Sequence, residues 1–186
     1  MSEKFIVNIP VKPYVKRFIE INYGLPADFS KHPRVNEFFL DKLKHPDTSR
    51  DRQYPDQLCT YTETLEVVIS QHDFYKHGWE LSKTDIVAFG KYFEDRAKLL
   101  MRLHVGSNHA LGRPINVCIE EFQDDFCFDE NVWKYEAIKK DFFRNGHKVP
   151  INFKEDIFDK IKQIVLHNLY DLGTISKDLI IDHEKY

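Results

Sequence analysis

The chain has 186 residues, 42% of them hydrophobic and 31% charged, which supplies one hydrophobic core but not the length for two. Its formal net charge of -3 excludes a protein that coats nucleic acid or anionic lipid by overall charge, so such contacts need a local basic patch. No stretch approaches the roughly 18 apolar residues of a membrane span, and the N-terminus lacks a basic segment followed by an apolar run, which points to a cytoplasmic protein with no membrane partner.

Residues 4–11 alternate apolar and polar side chains and read as a strand, after which Pro13 opens a helix that Gly24 closes. Ser30 is placed to cap a second helix over residues 33–44, with Val35, Phe38, Phe39 and Leu43 at helical spacing and His45-Pro46 ending it. Residues 47–57 have no periodicity and form a flexible loop crowded with Arg50, Asp51, Arg52, Tyr54 and Asp56, a salt-bridged surface segment or a binding edge. Alternation returns over residues 59–69, where Leu65, Val67 and Ile69 share one face, and this strand is expected to pair antiparallel with the N-terminal one. A short helical turn over 70–78 precedes the longest helix, 83–110. Ser82 and Asp85 form its capping box, Ile86, Phe89, Phe93, Leu100 and Met101 its buried stripe, and Gly112-Arg113-Pro114 its stop.

From Pro114 a helix carries Ile115, Cys118, Ile119, Phe122 and Phe126 on one face. A three-residue turn at 127–129 then leads into a helix over 130–145 with Val132, Tyr135, Ile138 and Phe142 as its periodic positions. A strongly amphipathic helix follows over 153–172, and the tail, 174–186, includes a candidate strand at 179–181. These elements imply a single α+β domain over residues 1–186, mainly α. A bundle centred on the helices at 83–110 and 153–172 would cover one face of a small antiparallel sheet.

A helix, a tight turn and a second helix across 114–145 is the arrangement that sets the second helix in the DNA major groove. Residues 131–150 contain Lys134, Lys139, Lys140, Arg144 and Lys148 against Glu136 and Asp141, a surplus of three positive charges. Lys140 and Arg144 stand one turn apart and can meet phosphates together. The preceding segment opposes this with Glu120, Glu121, Asp124, Asp125, Asp129 and Glu130 and no cation, so DNA binding requires those carboxylates to face elsewhere and not to pair with Lys140 or Arg144. The plainer alternative is two amphipathic helices packed as an αα-hairpin. A second basic face, Lys91, Lys98 and Arg102 with Arg96 and Arg113 nearby, could extend the patch, or could be a solvated face balanced by Glu94 and Asp95.

Other chemistry has less support. Trp79, Trp133, Tyr75 and Tyr135 could stack bases, although aromatic residues at helical spacing ordinarily belong to a core. His72 and His77, like His104 and His109, stand five apart and join no third ligand, so no metal site or cofactor is expected. The odd cysteine set, Cys59, Cys118 and Cys127, has no CxxC spacing and reads as reduced packing residues. GxSxG, P-loop and GxGxxG motifs are absent, so no catalytic residue is assigned; an enzyme would need His, Arg and carboxylate groups converging in a deep pocket.

Residues 9–20 (IPVKPYVKRFIE), 51–56 (DRQYPD), 74–90 (FYKHGWELSKTDIVAFG) and 138–146 (IKKDFFRNG) resemble segments of short uncharacterised proteins encoded on bacterial prophages and conjugative elements. The resemblance carries over no activity or catalytic residue. It implies a setting in which small non-enzymatic proteins serve as regulators or accessory DNA binders, or as assembly factors. The leading expectation is therefore a DNA-binding accessory or regulatory protein of a mobile element, contacting double-stranded DNA through Lys134, Lys139, Lys140 and Arg144. The alternative is a protein-protein interaction module with Phe38, Phe39, Phe142 and Phe143 partly exposed.

Overall fold

A computed structural model describes residues 4–46 and 58–146. The elements in chain order are β1 (Lys4–Val11), α1 (Pro13–Tyr23), β2 (Ala27–Asp28), α2 (Pro33–Leu40), β3 (Leu43–Lys44), β4 (Glu63–Ser70), α3 (Gln71–His77), β5 (Glu80–Leu81), α4 (Lys83–Ala110), α5 (Ile115–Asp125) and α6 (Tyr135–Asn145). Among the described residues the fold is α+β and mainly α, as its periodicities predict. None of the helices there is long and apolar enough to cross a membrane. The loop at 47–57, the helix at 153–172 and the tail at 174–186 lie outside the described residues.

Alternation determines how the main sheet is built. β1 and β4 pair antiparallel from Lys4 opposite Ser70 to Val11 opposite Glu63. Val7, Ile9 and Val11 on one strand and Leu65, Val67 and Ile69 on the other are buried on one face, while Lys4, Ile6, Asn8 and Glu66 are exposed. The sheet is larger and more mixed than a two-stranded antiparallel pair, because β2 adds to β4 in parallel, with Ala27 opposite Val67. β4 also begins four residues later than alternation suggests, since Tyr61 N–H closes a turn onto Leu58 O at 3.0 Å.

α2 ends at Leu40, not at residue 44. Leu43 and Lys44 instead form β3, paired antiparallel with β5, and the Leu43 side chain is buried there. Ser30 does not cap α2: its N–H donates to the Asp28 carboxylate at 3.0 Å, and His32 stands at the cap with Pro33 in the first turn.

α4 is the spine of the domain. It starts where Ser82 Oγ accepts the Asp85 N–H at 3.2 Å, and it packs against β1, α1, α5 and α6. Ile86, Phe89, Phe93, Ala97, Met101 and Val105 are buried along it, with Leu100 half-buried beside them.

Candidate nucleic-acid interface

The helix pair at 114–145 is present, but its connection is longer than a three-residue turn. α5 stops at Asp125 and α6 starts only at Tyr135. Two features hold residues 126–134 off the helix. The Asp129 carboxylate accepts the N–H groups of Asn131 (2.8 Å) and Val132 (3.0 Å), holding them in a turn, and Glu130 Oε2 accepts the N–H of Tyr135, the first residue of α6, at 2.8 Å. Phe128 and Trp133 are buried, with Trp133 stacked on Tyr14 at 4.5 Å and edge-on to Phe122 and Phe128. The connection is therefore an anchored loop rather than the tight corner of a helix-turn-helix.

α6 turns Ile138 into the core and leaves Lys140, Phe143 and Arg144 exposed, with Lys134 exposed just before it; the Phe143 side chain is 61% accessible. Among the described residues, no carboxylate lies within ion-pair distance of Lys134, Lys140 or Arg144. Lys139 is half-buried, 3.9 Å from Glu136 and over the Tyr135 ring. Part of the acidic segment before α6 is engaged elsewhere: Glu121 pairs with Arg113, Asp125 stands 3.5 Å from His104 Nε2, and Asp129 and Glu130 hold backbone N–H groups, while Glu120 and Asp124 are exposed.

The second basic face is largely consumed within the protein. Lys98 Nζ donates to Glu94 at 2.5 Å, and Arg102 makes two hydrogen bonds to Asp141, at 2.7 and 2.9 Å. Lys91 is exposed. Arg96 lies 3.6 Å from the centre of the Tyr92 ring. Of the expected face, Lys91, Lys98 and Arg102, only Lys91 is thus open among the described residues, which makes no ridge continuous with α6.

Glu94 is the centre of a half-buried charged cluster joining the β1–α1 corner to α4. It accepts Lys12 Nζ at 2.7 Å as well as Lys98. Burial pushes its carboxyl up, but hydrogen bonds from Lys12, Lys98 and Tyr14 outweigh burial and hold it at about 2. Burial, reinforced by Glu94, drives the Tyr14 hydroxyl far above the ordinary phenol range.

A cleft of about 770 Å³ lies between α1, the start of β4 and the 126–134 loop. Its two cations are each held by a carboxylate, Lys16 by Glu63 at 3.1 Å and Arg17 by Glu20 at 4.0 Å, and no histidine lines it. Cys127 is at its rim. Of the cysteines only Cys118 is buried; Cys59 and Cys127 are exposed, which corrects their reading as packing residues. Among the described residues no group of three or more His, Cys, Asp or Glu side chains could hold a metal ion.

The aromatic residues divide unexpectedly. Trp133 is a core residue and Tyr135 is half-buried, whereas Tyr75 and Trp79 are exposed and belong to one cluster with Phe5 and Phe74. Periodicity could not find this, because seven-residue α3 has no buried residue to define an inner face. Among the phenylalanines expected to form a sticky patch, Phe39 is buried, Phe38 and Phe142 are half-buried and only Phe143 is well exposed. Comparison of the chain with protein-family models, with curated proteins and with solved structures gives no match.

Proposed function

We propose that this protein is a non-enzymatic, cytoplasmic accessory or regulatory DNA-binding protein of a mobile element, and that it grips duplex DNA along α6. The observation that supports this is where its open cations gather. Lys12, Lys16, Lys98, Arg102 and Arg113 are tied to carboxylates; Lys31, Arg34, Lys76 and Lys91 are exposed with no described counter-ion, as are Lys134, Lys140 and Arg144, and these last three lie on or just before one helix, Lys140 and Arg144 one turn apart. Cations left open in this way can replace the counter-ions condensed on phosphates, and their release drives association. The long α5–α6 connection favours phosphate contacts over deep insertion of α6 between the strands.

The test is binding to random-sequence duplex DNA across a salt series, comparing wild type with a folded Lys140→Ala/Arg144→Ala variant. Three contacts give a log–log salt slope of about -3, and the double variant should flatten it by about two. An unchanged slope in the variant would remove α6 from the interface. A second reading follows from Phe143, whose exposure between Lys140 and Arg144 suits an acidic partner protein with an apolar anchor. Absence of DNA binding even at low salt would favour that reading.

A further inference from the structure

The exposed aromatic cluster lies at the end of the sheet where β1 begins and β4 runs into α3. Phe5 stacks on Phe74 with ring centres 4.4 Å apart, and Phe74 stacks on Trp79 at 4.6 Å with only 5° between the planes. Tyr75 stands edge-on to both inner rings, 5.5 Å from Phe74 and 6.2 Å from Phe5. Phe5 and Phe74 are half-buried, but Tyr75 is 62% and Trp79 37% accessible. Trp79 is therefore backed by Phe74 and flanked edge-on by His45 at 5.7 Å, Tyr75 rests against both Phe5 and Phe74, and each outer ring keeps apolar surface in water.

The backbone holds Trp79 in place. Its N–H donates to Lys44 O at 3.1 Å, and the preceding Gly78 sits hard against the Lys44–His45 backbone with φ +90°. A ring positioned this rigidly loses little conformational freedom when a flat ligand stacks on it.

One open cation stands beside the rings: Lys76 is exposed on α3, with no carboxylate in ion-pair distance among the described residues, and His72 is exposed one turn before it. Asp85 is paired with Lys44 and Lys42, and the Asp73 carboxylate is turned onto Ser70 Oγ at 2.6 Å. Open rings beside an open cation suit a partner that repeats flat π faces and negative charges along its length. Duplex DNA offers only the charges, since its bases stack on each other. Unpaired DNA offers both.

We propose that the Tyr75–Trp79 face binds single-stranded DNA, stacking bases on these two rings while Lys76 meets an adjoining phosphate. This rests on the DNA-binding reading of α6 and adds that the substrate has an unpaired strand, as at a gap, fork or single-stranded overhang.

The test uses the full chain at low salt, titrated with a short oligo(dT) and with a duplex of the same length, following tryptophan fluorescence and affinity. Trp133 is buried, so quenching by oligo(dT) reports Trp79 and should vanish in Trp79→Phe. Tyr75→Ala, on an exposed helix position, should weaken oligo(dT) binding about tenfold and leave duplex affinity unchanged. Lys140→Ala/Arg144→Ala should weaken duplex binding. Oligo(dT) binding that is unaltered in Tyr75→Ala, or that leaves tryptophan unquenched, overturns the platform whatever α6 does. Tyr75-dependent oligo(dT) binding without any duplex binding would keep the platform and remove the α6 reading alone.

Discussion

Arg102 and Asp141 join the middle of α4 to α6 through two hydrogen bonds, Nε to Oδ2 at 2.7 Å and Nη2 to Oδ1 at 2.9 Å, with Asn145 Nδ2 donating to the same carboxylate at 3.0 Å. The two side chains are 20% and 15% accessible, so removing either one leaves a largely desolvated charge behind. Arg102→Ala and Asp141→Ala should each cost about 2–3 kcal/mol, and the double variant clearly less than their sum. Urea denaturation of the three variants checks this. Additive losses would mean that the pair contributes no coupling. The same geometry takes Arg102 out of the phosphate-facing set, so Arg102→Leu, kept below its unfolding midpoint, should bind duplex DNA like wild type.

That pair also shows where sequence reasoning stops. The Glu94–Lys98 contact is legible because the residues are four apart on one helix, whereas Arg102 and Asp141 are brought together only by the packing of α4 on α6. Elements with a repeating buried face, such as β1, α1, α4 and α5, can be read from their periods, and α4 can be bounded because Ser82, Asp85, Gly112 and Pro114 are local signals. β2, β3 and β5 cannot, since two-residue strands exist through partners as distant as Val67 for Ala27 and Leu81 for Leu43. Helical spacing over residues 132–142 is real, yet Asp129 and Glu130 capture the backbone donors and Trp133 enters the core, so the helix begins late. Of the candidate site, the cations of α6 are visible in sequence, but which cations are already paired is a property of the fold.

Glu94 should make stability depend on acid. Its folded value of about 2 lies below the ordinary 4.5, so the folded state favours the carboxylate. The resulting stability is complete above about pH 4.5 and is lost as pH falls through the window down to 2, a total of about 3 kcal/mol. Glu94→Gln should be less stable at neutral pH and should show a flatter profile across that window. An equally steep profile in the variant would place the acid sensitivity elsewhere.

His104 acts higher on the pH scale. Burial against Phe122 and Phe126 lowers its imidazole from the usual 6.5, outweighing the opposite pull of Asp125 and Glu121, while Arg113 lowers it further. Its Nδ1 is buried and lacks a hydrogen-bond partner. The folded state therefore prefers the neutral ring, and stability should be full above about pH 6.5 and decline as pH falls below it. Thermal midpoints between about pH 8 and pH 5.5 should drop in wild type and hold nearly level in His104→Leu. Parallel curves for the two proteins would contradict this.

Gly78 tests the link between the small sheet and the aromatic face. It adopts φ +90°, and a Cβ there would fall on the backbone of Lys44 and His45, which cannot move without separating β3 from β5. Gly112 has nearly the same φ, +89°, but nothing within 4 Å of its would-be Cβ. Gly112→Ala should therefore cost only the conformational strain of an L-residue at positive φ, about 1–2 kcal/mol. Gly78→Ala should add the steric overlap to that strain and cost clearly more, on the order of 3–4 kcal/mol or above. The extra loss should come with a shift in Trp79 emission, because Trp79 takes its position from the N–H bond to Lys44. Chemical denaturation of the two variants side by side separates strain from overlap. Equal losses would mean that the Lys44 backbone yields freely, and Trp79 would then not be rigidly held.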